Sequence, residues 1–305
     1  NFSRKTQSPD GKGNTMRYIT LLCFLCALVS QTCGRGDVGV ARARLVLWPG
    51  LGDACWSAGL ERLIDKIESR YTVSVYCIDQ GHGGILGNVH EQIDGVCVAL
   101  LSLLGEGGEG GEGGGYLGLS QGGLFLRVLL QRCGDLPARP LVTLGAPHAG
   151  VTSWPSCPVG TASSWPCALM DVVIEDLGMT SLARSHIIPA TYLYSKDVSA
   201  PLLDTANSCD IHVPSGLHRL KGRVTVFATF LFELDAVLEP KESAWFGRWN
   251  GESIVSFEEQ DELGCLDDMM FERNVVPGAA HMQLDEAFFF GDIMERYFVP
   301  VSFVT

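Results

Sequence analysis

The chain lacks any cluster of basic residues. It has 22 lysines and arginines against 35 aspartates and glutamates, a net charge of -13 over 305 residues. That balance argues against nucleic acid or an anionic membrane surface as a partner. Beyond the N-terminal region no apolar run reaches about 20 residues, so no membrane span is expected in the mature chain. None of the eight cysteines after residue 33 forms a Cys-x-x-Cys pair, and none stands with histidines at zinc-finger spacing. Neither a metal nor a cofactor is expected. The one Asn-x-Ser/Thr sequon is Asn1-Phe2-Ser3, so N-linked glycans are not expected on the mature chain.

What is present begins with a leader. Residues 1–15 read as a non-native leader ahead of Met16. Arg17 and the apolar run Ile19 to Val29 then read as a signal peptide over residues 16–33. Entry to the secretory route makes disulfides expected. A hydrophobic content of 46% is ample for one large core. Residues 40–305 are read as a single α/β domain with an insertion at about 150–222.

Ala43 to Trp48 reads as a strand, and Leu60, Leu63, Ile64, Ile67 and Tyr71 mark one face of a helix. Thr72 to Ile78 is a second strand, and Val89, Ile93, Val96, Leu100 and Leu104 mark a second helix. Alternation of this kind predicts a mostly parallel sheet flanked by helices. Gly105 to Gly115, rich in Glu and Gly, reads as a solvated loop. Pro140 to Leu144 and Arg223 to Phe232 are later strands, and Asp285 to Phe298 is a closing helix.

Between a short apolar run and a helical run stands Gly118-Leu119-Ser120-Gln121-Gly122. This is the pattern of a nucleophile elbow, where a strand turns sharply into a helix and exposes the serine hydroxyl. A serine needs a base, usually histidine, and a carboxylate to hold the imidazole. On this fold they follow in the order Ser, Asp or Glu, His. His82 and His90 precede the serine, His148 comes too early, and His186, His212 and His218 fall in the insertion. His281, in a small-residue loop before the closing helix, is the candidate base. Asp235 follows a late strand, with Glu233 and Glu239 as rivals. Asp204 and Asp210 lie in the insertion, and Asp267 and Asp268 follow no clear strand. Backbone N–H groups of Gln121 and of Leu51, in the Gly50-Leu51-Gly52 loop, are candidate oxyanion donors.

With these pieces in order, the chain resembles the palmitoyl-protein thioesterases, of the lysosomal type. The resemblance rests on Leu45-Val46-Leu47-Trp48 with Gly50-Leu51-Gly52-Asp53, on Gly118 to Gly123 with Phe125-Leu126-Arg127, on Gln131-Arg132-Cys133, on Glu242 to Gly247, and on His281-Met282-Gln283-Leu284. It implies an α/β-hydrolase fold with an inserted helical cap region. It implies Ser120 as nucleophile, Asp235 as acid and His281 as base, with Leu51 and Gln121 as oxyanion donors. It further implies disulfides Cys97–Cys133 and Cys157–Cys167. Cys55 matches a cysteine that the family pairs with its immediate neighbour. That neighbour here is Trp56, so the same bond cannot form.

The function so implied is hydrolysis of long-chain fatty acyl thioesters on cysteines of S-acylated proteins or peptides, in a lysosome or lysosome-like vacuole or after secretion. Trp154, Trp165, Trp245 and Phe246 are candidate walls of an acyl groove. The rival readings are a secreted lipase or carboxylesterase acting on oxygen esters, and an inactive lipid carrier.

Overall fold

The computed structural model describes residues 18–20, 42–79, 81, 84–105, 113–153, 180–194 and 200–299. In chain order the elements are β1 (Tyr18–Thr20), β2 (Ala43–Trp48), α1 (Ala58–Arg70), β3 (Val73–Asp79), α2 (Val89–Gly105), β4 (Gly114–Leu119), α3 (Gln121–Arg132) and β5 (Arg139–Leu144). Then come the short α4 (Ser181–His186) and α5 (Pro201–Ala206), the long strand β6 (Val224–Phe232), a small ribbon of β7 (Arg248–Trp249) and β8 (Ile254–Val255), and β9 (Phe271–Val276). A closing helix, α6, starts as Glu286–Phe288 and continues in π-type winding over Phe289–Phe298.

Seven strands form one sheet in the order β1-β3-β2-β4-β5-β6-β9, and every pairing in it is parallel. The central strands are buried on both faces, which is why they read as unbroken apolar runs. Alternate residues of β2 serve two cores. Val46 and Trp48 pack with α2, α3 and the insertion, while Leu45 and Leu47 pack with α1 and the closing helix. Because the strands are parallel, the loops after β2, β4, β5, β6 and β9 all emerge at one edge. Ligands of open parallel sheets bind at that carboxyl edge.

The strand β9 was not foreseen: Phe271-Glu272-Arg273-Asn274-Val275-Val276 lies at the sheet edge and is only partly buried, so its polar residues broke the apolar signal. Cys55, whose partner the sequence left open once Trp56 was its neighbour, is joined to Cys77 near the end of β3 (S–S 2.05 Å). Cys97 is bonded to Cys133 and Cys209 to Cys265. Cys157 and Cys167, Trp154 and Trp165, and most of the Glu/Gly loop lie outside the described residues.

The described parts of the insertion are short helices and turns that dock on α3. Ile188, Tyr192, Leu203, Leu217 and Leu220 are buried in the same core as Phe125 and Leu129.

Candidate active site

Ser120 sits between β4 and α3 with φ 49° and ψ -123°, a backbone conformation that an L-residue adopts only under constraint. Its neighbours explain the glycines. A Cβ on Gly118 would lie 2.3 Å from the Gly123 Cα, and one on Gly122 would lie 2.2 Å from the Trp48 carbonyl oxygen. Both positions therefore exclude any side chain. The Ser120 N–H donates to the Leu144 carbonyl at 2.7 Å and ties the turn to β5.

His281 Nε2 lies 3.0 Å from Ser120 Oγ, and His281 Nδ1 lies 2.6 Å from Asp235 Oδ2. The His281 and Asp235 side chains are 10% and 1% exposed. Burial alone would raise the Asp235 carboxyl. The hydrogen bond from His281 and two backbone N–H donors, Val237 and Leu238, outweigh it and hold the group below the usual carboxylate range. Those two donors take Oδ1 at 2.9 Å each, which leaves Oδ2 to the imidazole.

The rival acid Glu233 has a different part. Its carboxylate accepts the Gly278 N–H at 2.7 Å, and the Leu234 N–H donates to the Ala279 carbonyl. These bonds clasp the loop after β6 to the loop carrying His281. Glu239 accepts from the Ser153 hydroxyl, Asp268 pairs with Lys221, and Asp210 accepts from the His212 N–H.

His148 is fully buried beside Arg127 rather than at the serine. Arg127 Nε donates to His148 Nδ1 at 3.2 Å, and His148 Nε2 lies 2.9 Å from Thr143 Oγ1. Burial and the guanidinium charge both push His148 well below its ordinary pKa, so the ring is neutral and donates from Nε2. The Gln121 side chain is held between the Gly84 carbonyl and the Tyr192 hydroxyl. Its backbone N–H heads α3, where helical N–H groups have no acceptor within the helix.

A cavity of about 450 Å³ opens at Ser120 and His281. Its walls are mainly apolar, among them Leu51, Leu119, Val151, Tyr192, Val237 and Met282. Trp245 and Phe246 do not line it. Phe246 is fully buried and stacks on His148 with ring centroids 5.0 Å apart. Trp245 donates its indole N–H to the Asn274 carbonyl of β9. Their apolar bulk serves the core, so the expectation that they form the groove is corrected. Val237 and Leu238, two and three residues after Asp235, were missed. Their place in a loop after a late strand was the available signal.

The family model for palmitoyl protein thioesterases matches residues 44–264, which include the elbow and the acid. The chain belongs to that family. It is 31% identical over 233 residues to the palmitoyl-protein thioesterase-dolichyl pyrophosphate phosphatase fusion 1 of Schizosaccharomyces pombe, matching 71% of this chain and 36% of the fusion. The chain thus spans little over a third of that relative's length. It is 23% identical to palmitoyl-protein thioesterase 1 of Caenorhabditis elegans, over 93% of this chain and all of the relative. Among solved structures, the esterase Pf2001 of Pyrococcus furiosus is similar over 86% of this chain and 84% of its own, with 12% identity and a TM-score of 0.45. The parallel sheet and the elbow at Ser120 make the fold that of an α/β hydrolase.

Proposed function

We propose that this protein is a palmitoyl-protein thioesterase that hydrolyses long-chain fatty acyl thioesters on protein cysteines through an acyl-serine. The observation that carries the reading is the hydrogen-bonded series Ser120–His281–Asp235 at the mouth of an apolar cavity. Membership of the thioesterase family supports the choice of substrate.

In the first half, His281 Nε2 takes the Ser120 proton as Oγ attacks the acyl carbonyl. The N–H groups of Leu51 and Gln121 stabilise the oxyanion, and Asp235 stabilises the imidazolium. The C–S bond breaks, and the imidazolium returns its proton to the departing sulfur. In the second half, His281 deprotonates a water that attacks the acyl-serine. The C–Oγ bond breaks, the proton goes to Ser120, and the fatty acid leaves. A thiol, with a pKa of about 8.5, leaves far more readily than an alcohol, which suits the thioester as substrate.

S-acylated proteins or peptides are the substrates in this reading. The disulfides support a secretory route, ending in a lysosome-like compartment or outside the cell. Turnover of a palmitoyl thioester and a matched palmitoyl oxygen ester tests the assignment. A marked thioester preference that disappears in Ser120→Ala is expected. A marked oxygen-ester preference would make the protein a lipase or carboxylesterase, and lipid binding without turnover would make it a carrier.

A further inference from the structure

Gln121, the residue after the nucleophile, is held by its side chain at both ends. It is buried at 1% exposure. Its Nε2 donates to the Gly84 carbonyl at 2.9 Å, and its Oε1 accepts the Tyr192 hydroxyl at 2.6 Å. Chemistry fixes that order. The Gly84 carbonyl can only accept, so it takes the NH₂ end of the amide, and the oxygen end then needs a donor. Tyr192 supplies it. Burial pushes the phenol far above its ordinary pKa, so the hydroxyl keeps its proton.

The two tethers come from distant parts of the chain that are themselves joined. Gly84 follows β3, and Tyr192 lies in the insertion. Between them Leu86 and Ile187 form a bridge, the Gly87 N–H donates to the His186 carbonyl, and the Ile188 N–H donates to the Ile85 carbonyl. Tyr192 is fixed in turn. Its carbonyl accepts the Val151 N–H at 3.1 Å, and its ring meets Phe125 of α3 edge-on. The ring also lines the cavity at Ser120, so ring and hydroxyl have separate tasks.

We propose that Tyr192 is a positioning residue of the oxyanion hole. Its hydroxyl aims the Gln121 backbone N–H by holding the Gln121 side chain, and the aim is kept only while the insertion is seated on α3. The inference rests on the acyl-serine reading above. Without the hydroxyl, the buried amide oxygen has lost its donor and the side chain must turn to find another. An oxyanion donor acts only at hydrogen-bond distance from the place where charge develops, so a small shift there is felt in the rate.

The test uses the full chain and two ligands that share one alkyl chain. Pentadecyl trifluoromethyl ketone reads the hole: Ser120 Oγ adds to its carbonyl, the proton passes to His281, and the new oxyanion faces the Gln121 N–H. A cysteine peptide bearing an S-hexadecyl thioether has no carbonyl and reads the cavity alone. Tyr192→Phe keeps the ring. It is expected to lower kcat for the palmitoyl-cysteine peptide and affinity for the ketone by about tenfold or more, with KM and thioether affinity within about twofold of wild type. Gln121→Leu keeps the backbone N–H and should lower the same ketone-to-thioether ratio, which serves if Tyr192→Phe fails to fold. Because Tyr192 acts through Gln121, adding Tyr192→Phe to Gln121→Leu should cost nothing more. An unchanged ratio in a folded variant, an equal loss for both ligands, or additive losses in the double variant would overturn the role. The ratio reads the hole whatever the natural ester, so absence of thioester turnover in the wild type would defeat the thioesterase reading and leave this test standing.

Discussion

A Cβ placed on Gly145 would lie 2.9 Å from Cε1 of His281. Gly145 is the first residue after β5, at φ +57°, and the imidazole occupies the space that its missing side chain leaves. The proposed base is therefore positioned by the turn after a strand that carries no member of the Ser, Asp, His set. Gly145→Ala should displace the ring by part of an ångström and lower kcat by about a hundredfold. The strained backbone should cost about 1–2 kcal/mol of stability. Steady-state kinetics beside a thermal melt would check both. A folded variant with wild-type kcat would contradict the role given to the gap.

Asp235 uses one oxygen on the Val237 and Leu238 N–H groups and the other on His281. Asp235→Asn keeps the shape but can offer its NH₂ to the ring nitrogen, which favours the wrong tautomer. By analogy with other serine hydrolases, kcat should fall by about 10⁴-fold. Glu233→Gln should cost far less kcat, because Glu233 holds the loop and not the ring. Parallel kcat measurements on the two variants separate these roles.

His148 is buried and neutral beside Arg127. Its pKa in the folded state is depressed, so the unfolded chain binds a proton that the folded chain refuses. The sign follows: above about pH 6.5 the group contributes nothing to pH dependence, and below it stability falls by up to about 1.4 kcal/mol per pH unit. His148→Asn keeps an acceptor for Arg127 and should flatten that slope between about pH 6.5 and 5. Denaturant melts over that range measure it.

The Cys55–Cys77 bond closes 22 residues and joins the loop bearing Leu51 to β3, whose Cys77 pairs with Leu47 of β2. Replacing both cysteines by alanine should cost about 3 kcal/mol. It should also lower kcat, since the loop's N–H must meet the oxyanion within a few tenths of an ångström. Replacing Cys97 and Cys133 should cost similar stability with little effect on kcat, because that bond joins α2 to the far end of α3. Equal kcat losses in the two variants would contradict a special place for Cys55.

Much of this was legible in the sequence because the informative residues report local constraints. Gly118 and Gly122 are glycines because backbone lies within 2.3 Å of where a Cβ would be, and such a demand shows in any chain with the same turn. The central strands were legible because burial on both faces leaves only apolar residues. The edge strand β9 was not, since it is only partly buried and admits the polar residues Glu272, Arg273 and Asn274. Phe246 was misread because an aromatic residue looks alike in a groove and in a core. Its contact with His148 joins residues 98 positions apart, and no local pattern encodes that. Pairing of Cys55 with Cys77 depends on the same kind of distant meeting.

The central claim is that Ser120 carries the acyl group between the two halves of the reaction. Rapid mixing with a palmitoyl-cysteine peptide, acid quench and peptide mass spectrometry tests it most directly. The account predicts a palmitoyl adduct on the peptide containing Ser120, formed within the first turnover and absent in Ser120→Ala. An adduct on another residue, or continued turnover by Ser120→Ala, would contradict it.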